Sequence, residues 1–300
     1  LMSRIMKIMG LNGSSFAPLL LGFGCSVPAI LSTRRIETRS DRLVTIAVLP
    51  MMSCAGRLPI YMMFVSALFP SRLQAPVLFG IYASGVLLAL CCARLLKNTL
   101  FKAPQRDSLH HMKRLRLPSL RKVGILMWSR AFMYVRKAGT FILGASIILW
   151  FLNTYPRPEE DTAPTNAAAM EHSYAGQIGH WMEPVTQVAG FDWKINSALV
   201  GAFAAKEIFV TQMGILYAVE DGNSAPAAQQ TLNARLKASY TPLQGISIMI
   251  FCLIALPCIG TVTVAKREAG TWWFALAQFG GLTLLGFATA TLIYQAGLLL

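Results

Sequence analysis

The chain has 300 residues, of which 55% are hydrophobic and 13% charged, with a mean hydropathy of +0.52, where soluble domains carry roughly 25% charged residues. This composition excludes an ordinary water-soluble domain and places the chain in a membrane. The net charge of +14 would suit nucleic acid, but the positive residues lie in short stretches flanking apolar runs, which is the positive-inside pattern of membrane proteins.

Residues 1–12 interleave Met and Ile with Arg4 and Lys7 and read as an amphipathic helix at a membrane surface or the end of a preceding element. No charged n-region, short apolar core and small-residue cleavage site open the chain. The start at Leu1, inside amphipathic sequence, reads as an excerpt of something longer. Residues 14–31 form an apolar run interrupted by Gly22-Phe23-Gly24-Cys25-Ser26-Val27-Pro28. A second run, 43–69, is interrupted by Ser53-Cys54-Ala55-Gly56-Arg57-Leu58-Pro59. Glycine costs backbone entropy and proline lacks an N–H, so both segments are expected to unwind locally. Lipid cannot satisfy the freed backbone groups, so such breaks belong where protein or a watery cavity covers them, as in transporter sites.

Between these runs, Arg34, Arg35, Arg39 and Arg42 outnumber Glu37 and Asp41, which predicts a cytoplasmic connector. Residues 76–96 are an uninterrupted span containing Cys91 and Cys92, a pair read as packing residues. The connector 97–122 is basic. From Ser119 a long helical pattern is amphipathic through Trp128, Arg130, Arg136 and Lys137, then apolar over 138–152. The loop 153–194 is rich in acids, and that reversal of charge fits the far side of the membrane. Residues 195–219 are apolar around Lys206-Glu207, and 220–240 are a polar connector. Residues 242–264 are the third broken run, interrupted by Leu256-Pro257-Cys258-Ile259-Gly260. Lys266, Arg267 and Glu268 precede the last span, 271–299, which opens on Trp272-Trp273. Counting every run as a crossing puts Lys266 and Arg267 outside, against the positive-inside rule, so one run, a broken one, is expected to be re-entrant.

Cys25, Cys54 and Cys258 share one context, a cysteine at a Gly/Pro break inside an apolar run. Thiolate is a soft ligand for late first-row metals, and freed carbonyls can add oxygen contacts; a single cysteine so placed would more often be structural, whereas three in matched contexts point to function. Cys252, inside the apolar approach to the third break, is grouped with the packing thiols. Lys206 and Glu207 are ionisable residues at membrane depth, where such groups are costly and face the bundle interior. Adjacent helical residues do not face each other, so each needs its own partner, and Arg57 is an available cation for Glu207. An interhelical ion pair and a role in ion passage or gating both remain open for them. His110, His111, His172 and His180 lie in connectors, and neither a zincin motif nor a G-x-x-x-x-G-K-[ST] loop is present.

The stretches GFGCSVPAI (22–30), DRLVTIAVLPMMSCAGRLPIY (41–61), 118–152 with its RKAGTFILGASIILWFL ending, GFDWKINSALVGAFAAKEI (190–208) and LPCIGTVTVAKREAGTW (256–272) resemble the C-terminal membrane half of the FeoB family of bacterial ferrous iron transport proteins. The family usually has Asn where this chain has Ser26, and SCSARLP where it has SCAGRLP. The resemblance implies an all-α polytopic membrane protein with gate-type repeats and discontinuous transmembrane helices. It also implies an Fe²⁺ importer of the bacterial inner membrane, whose iron-path cysteines match Cys25, Cys54 and Cys258. Ser26, Arg57, Lys206 and Glu207 are expected on the ion path or its gate. The expected divisions are 1–70, 71–117 and 118–300.

The resemblance implies Fe²⁺ as the cargo, and no catalysis is expected of this chain, since the family's GTP and Mg²⁺ belong to an N-terminal GTP-binding domain outside it. Expected partners are membrane lipid, that domain with a first gate repeat, small Feo accessory proteins and a second copy of the chain, but not nucleic acid. The other readings are a transporter of another divalent metal or small solute, and a membrane scaffold with inert cysteines.

Overall fold

The computed structural model describes residues 6, 10–101, 119–156, 171–218, 225–255 and 257–299. Most of the amphipathic start over 1–12 and of the basic connector, with His110 and His111, lies outside the described residues. Among those described, every regular element is helical. Helices α1 (Phe16–Gly22) and α2 (Ser26–Ser32) are followed by α3 (Arg39–Val48), α4 (Leu58–Leu68) and α5 (Ser71–Thr99). Next come α6 (Leu120–Thr154), α7 (Tyr174–Thr186), α8 (Trp193–Ala204) and α9 (Lys206–Ala218). Helices α10 (Ala225–Ser239), α11 (Pro242–Ile254), α12 (Ile259–Ala269) and α13 (Trp272–Leu299) complete the chain. Four stretches are long and apolar enough to cross a membrane: Arg39–Leu68, Ser71–Thr99, Pro242–Ala269 and Trp272–Leu299. The chain is an all-α polytopic membrane protein.

Two apolar runs fold back on themselves. Helices α1 and α2, joined at Cys25, pack side by side as a hairpin. Helices α8 and α9 do the same, and their contacts mirror each other about the turn. A methyl group at Gly201 would lie 3.0 Å from the Ile208 side chain, and Gln212 Nε2 donates to Ser197 Oγ at 3.2 Å. An uninterrupted helix would hold residues 197 and 212 more than about 20 Å apart. The expected single apolar run over 195–219 is thus corrected to a helical hairpin that turns at Ala205, and two runs rather than the one expected fold back on themselves.

The two hairpins enter from opposite ends of the bundle. Arg34, just beyond α2, bonds Glu268 near the end of α12, and Arg42 in α3 bonds the same carboxylate. Lys97 near the end of α5 pairs with Asp41 of α3. These contacts gather Arg34, Arg42, Lys97 and the Lys266-Arg267 turn at one basic end, which removes the conflict with the positive-inside rule. At the other end, Leu68 closing α4 packs on Gly245 in the first turn of α11, and Tyr240 binds Asp192 at the base of α8. The bundle therefore holds two similar arrangements of opposite direction, hairpin, broken span and unbroken span, in which each hairpin lies beside the broken span of the other half. Inverted repeats of this kind place transporter sites near the midplane.

Local chemistry sets the boundaries. Asp192 caps α8 by accepting from the Ile195 N–H at 2.9 Å, and Thr241 with Gln244 forms a capping box ahead of Pro242, each satisfying N–H groups that a helix start leaves open. Helix pairs approach closely through small residues, as membrane bundles do. A methyl group at Gly286 of α13 would stand 2.8 Å from Ala255 Cβ and 3.0 Å from its nitrogen. Trp181 and Trp273 are 82% and 83% exposed at opposite ends, where interfacial aromatics belong.

Candidate ion path at the hairpin tips

The two hairpin tips share one backbone geometry. Cys25 has φ −152°, ψ 131°, and Ala205 has φ −149°, ψ 132°; each is an extended residue directly ahead of a helix start. The breaks in the two spans also match, with Cys54 at φ −76°, ψ 160° and Cys258 at φ −61°, ψ 155°. Both begin a Cys-x-Gly sequence, Cys54-Ala55-Gly56 and Cys258-Ile259-Gly260. Cys25, Cys54 and Cys258 thus each immediately precede a helical turn, and all three are half-buried and outside any disulfide. Cys252 is buried within α11, and Cys91 is exposed on the outer face of α5.

Each tip docks on the break of the other half. A methyl group at Gly260 would lie 3.6 Å from Val27 Cγ2, and one at Gly56 would lie 2.8 Å from Glu207 Oε1. Val27 and Glu207 are both the second residue after the extended one, so the two dockings correspond. The first tip also meets the break of its own half, because the Ala55 N–H donates to the Gly24 carbonyl at 3.1 Å. Ser26, buried, opens α2 exactly one residue after the turn, as Lys206 opens α9.

Arg57 does not pair with Glu207. Its guanidinium is 1% exposed and donates to the Met52 carbonyl at 3.2 Å and the Ala255 carbonyl at 3.4 Å. Carbonyls left open at a helix end need donors, and Arg57 supplies them to the breaks of both spans at once. The expectation of an Arg57–Glu207 ion pair fails because the two freed carbonyls take up the guanidinium, leaving the Glu207 carboxylate beside Gly56. Tyr61 receives a hydrogen bond from Ser53 at 3.1 Å, and Cys258 Sγ lies 3.1 Å from Thr261 Oγ1. Among the described residues, no three His, Cys, Asp or Glu side chains converge to hold an ion.

The turn at Ala205 was not visible in the sequence, for it has neither Gly nor Pro beside it. The signal was the adjacent Lys206-Glu207 charge pair, which lipid would not tolerate in the middle of a crossing helix. A hairpin tip sheltered in protein removes that conflict.

The described "Nucleoside recognition" family, Gate, matches residues 1–68 and 135–272, and the "Ferrous iron transport protein B C terminus" family matches residues 78–130. The "Fe(2+) transporter FeoB" of Campylobacter jejuni is 37% identical over 281 residues, covering 93% of this chain and 46% of that protein. A Porphyromonas gingivalis "Fe(2+) transport protein A/Fe(2+) transporter FeoB fusion protein" is 37% identical over 335 residues, covering 100% of this chain and 40% of that protein. The Leptospira biflexa "Fe(2+) transporter FeoB" is 35% identical, covering 100% of this chain and 45% of that protein. The chain thus spans less than half the length of these relatives. No solved structure matches. Two hairpins meeting two broken spans, together with these matches, make the chain a member of the Gate family and a FeoB-type C-terminal membrane portion.

Proposed function

We propose that the chain is the membrane part of a ferrous iron importer, in which Fe²⁺ passes where the hairpin tips meet the broken spans. The observation that carries this reading is the common placement of Cys25, Cys54 and Cys258, each directly ahead of a helical turn at a tip or a break. Thiolate suits Fe²⁺ better than a harder ligand does. The three serve as transient ligands in succession rather than as a closed cage, since conduction needs sites weak enough to release the ion. Ser26, Lys206 and Glu207 border the route at the tips, and Arg57 holds its two breaks together. The basic end faces the cytoplasm of a bacterial inner membrane. A transport protein A of the kind named in the fused relative, and a GTP-binding domain with a further gate repeat, are the partners this reading calls for.

The test is uptake of ⁵⁵Fe²⁺ by cells carrying the complete transporter, with competing Mn²⁺ and Zn²⁺ and with serine at each cysteine. Loss of uptake in Cys25→Ser, Cys54→Ser and Cys258→Ser, with Cys91→Ser and Cys92→Ser near normal, is the expected result. Equal competition by all three metals would turn the reading towards a general divalent-metal transporter. Normal uptake in the three break-site variants would remove the cysteine path.

A further inference from the structure

Lys206 is 8% exposed and sits at the tip of the second hairpin, at membrane depth. Among the described residues its ammonium has no hydrogen bond and no ion pair. Glu207, adjacent on α9, sets its carboxylate against Gly56, where the Lys206 Cβ also packs, without bonding the ammonium, and Arg57 carries the same charge as Lys206. The Lys206 Cβ would lie 3.7 Å from a methyl group at Gly56, two residues after Cys54, and Arg57 of the same break bonds the Ala255 carbonyl three residues before Cys258, so Lys206 stands where the two broken spans come together. At the equivalent point of the first tip is the neutral Ser26. A buried cation is normally paired; here the nearby groups of opposite tendency are thiols, which the proposed function makes ligands of the ion.

We propose that the Lys206 ammonium is a tethered stand-in for the transported cation. It supplies the positive charge between Cys54 and Cys258 when no metal is there, and a divalent ion enters by displacing it. This rests on the cysteine path proposed above and specifies how that path stays weak. Two cations within a few ångströms repel strongly where water is scarce, so the returning ammonium helps to expel the metal. Lysine suits the task because it is a compact point charge on a flexible four-carbon stem. Ser26 cannot act in this way, so the two halves of the path are expected to hold metal unequally.

The test is equilibrium Fe²⁺ binding, and Fe²⁺ dissociation rate, for the complete transporter purified without oxygen, with Mn²⁺ as a second probe. Lys206→Gln and Lys206→Met should hold Fe²⁺ about tenfold or more tightly than the parent and release it correspondingly more slowly. Uptake should fall in the same variants because release limits it. Lys206→Arg, which keeps the charge, should bind weakly as the parent does. The gain from Lys206→Gln should vanish in Lys206→Gln with Cys54→Ser. Unchanged or weaker Fe²⁺ binding in both neutral variants would overturn the proposal. So would failure of both neutral variants to fold while Lys206→Arg folds, since the ammonium would then be a structural charge. If single cysteine variants bind Fe²⁺ as the parent does, the cysteine path itself falls; if they lose binding but Lys206→Gln does not tighten it, only the stand-in role falls.

Discussion

Arg34 Nη2 lies 2.6 Å from Glu268 Oε1, and this contact fastens the end of the first hairpin to the end of the second broken span. The Cys25 and Cys258 turns lie at the other ends of these neighbouring segments, α2 and α12. Arg42 Nη2 adds a second contact at 2.6 Å to a carboxylate that is 2% exposed.

Glu268→Gln should therefore lower the thermal midpoint by about 5 °C, because it leaves two guanidiniums facing a neutral amide. Arg34→Gln should cost less, since Arg34 is 54% exposed and exposed pairs are worth little. Labelling of Cys25 and Cys258 by a membrane-impermeant maleimide in inside-out vesicles should rise in Glu268→Gln. Melting curves and labelling rates that match the parent would show that the contact fastens nothing.

Gly56→Ala should impair ion uptake while preserving the folded yield. Its methyl group would stand 2.8 Å from Glu207 Oε1, at the far end of a flexible side chain that can move aside. Gly260→Ala, where the nearest neighbour would be 3.6 Å away, should transport normally. The comparison of ⁵⁵Fe²⁺ uptake at equal expression separates the two, and equal losses would discount the placement of the Glu207 carboxylate.

Gly286→Ala should destabilise the bundle by about 1–3 kcal/mol, as overpacking does. The added methyl would press on Ala255, whose carbonyl accepts from Arg57, so the shift would reach the clamp between the two breaks. Unfolding in increasing SDS is the measurement, and a parent-like midpoint would argue that α13 yields freely.

Asp192 gives a pH dependence at the base of the second hairpin. Burial pushes its carboxyl above the usual carboxylate range, against the opposing pull of the Ile195 N–H and the Tyr240 hydroxyl. The folded chain thus holds this proton more tightly than the unfolded chain. The resulting stabilisation is fully present below the ordinary aspartate pKa and is lost as pH rises through the raised one. Asp192→Asn keeps a capping oxygen and should flatten the thermal midpoint across that window. An unchanged slope would assign the pH dependence to other groups.

The breaks at Cys25, Cys54 and Cys258 were legible because Gly and Pro flank them, and the flanking charges located the basic end. Direction of travel was not legible: a hairpin such as 14–31 and a crossing such as 76–96 are both simply apolar to a reader of composition. The turn at Ala205 lacked any breaker, and only the cost of Lys206-Glu207 hinted at it. The partner of Arg57 was misjudged because formal charge was visible in the sequence, while the open carbonyls of Met52 and Ala255 arise only once the spans have broken.

The hydrogen bond from the Ala55 N–H to the Gly24 carbonyl gives the two halves different mechanical parts. It rivets the first tip, main chain to main chain, to the first broken span, so that Cys25 and Cys54 travel as one stator. The second tip and its helix meet that same span through side chains, Glu207 and Lys206 at Gly56 and Phe209 on Phe64, contacts that can part without breaking a main-chain bond. In the path proposed above, the parts left free to move are therefore α8 and α9, about their base near Asp192 and Tyr240.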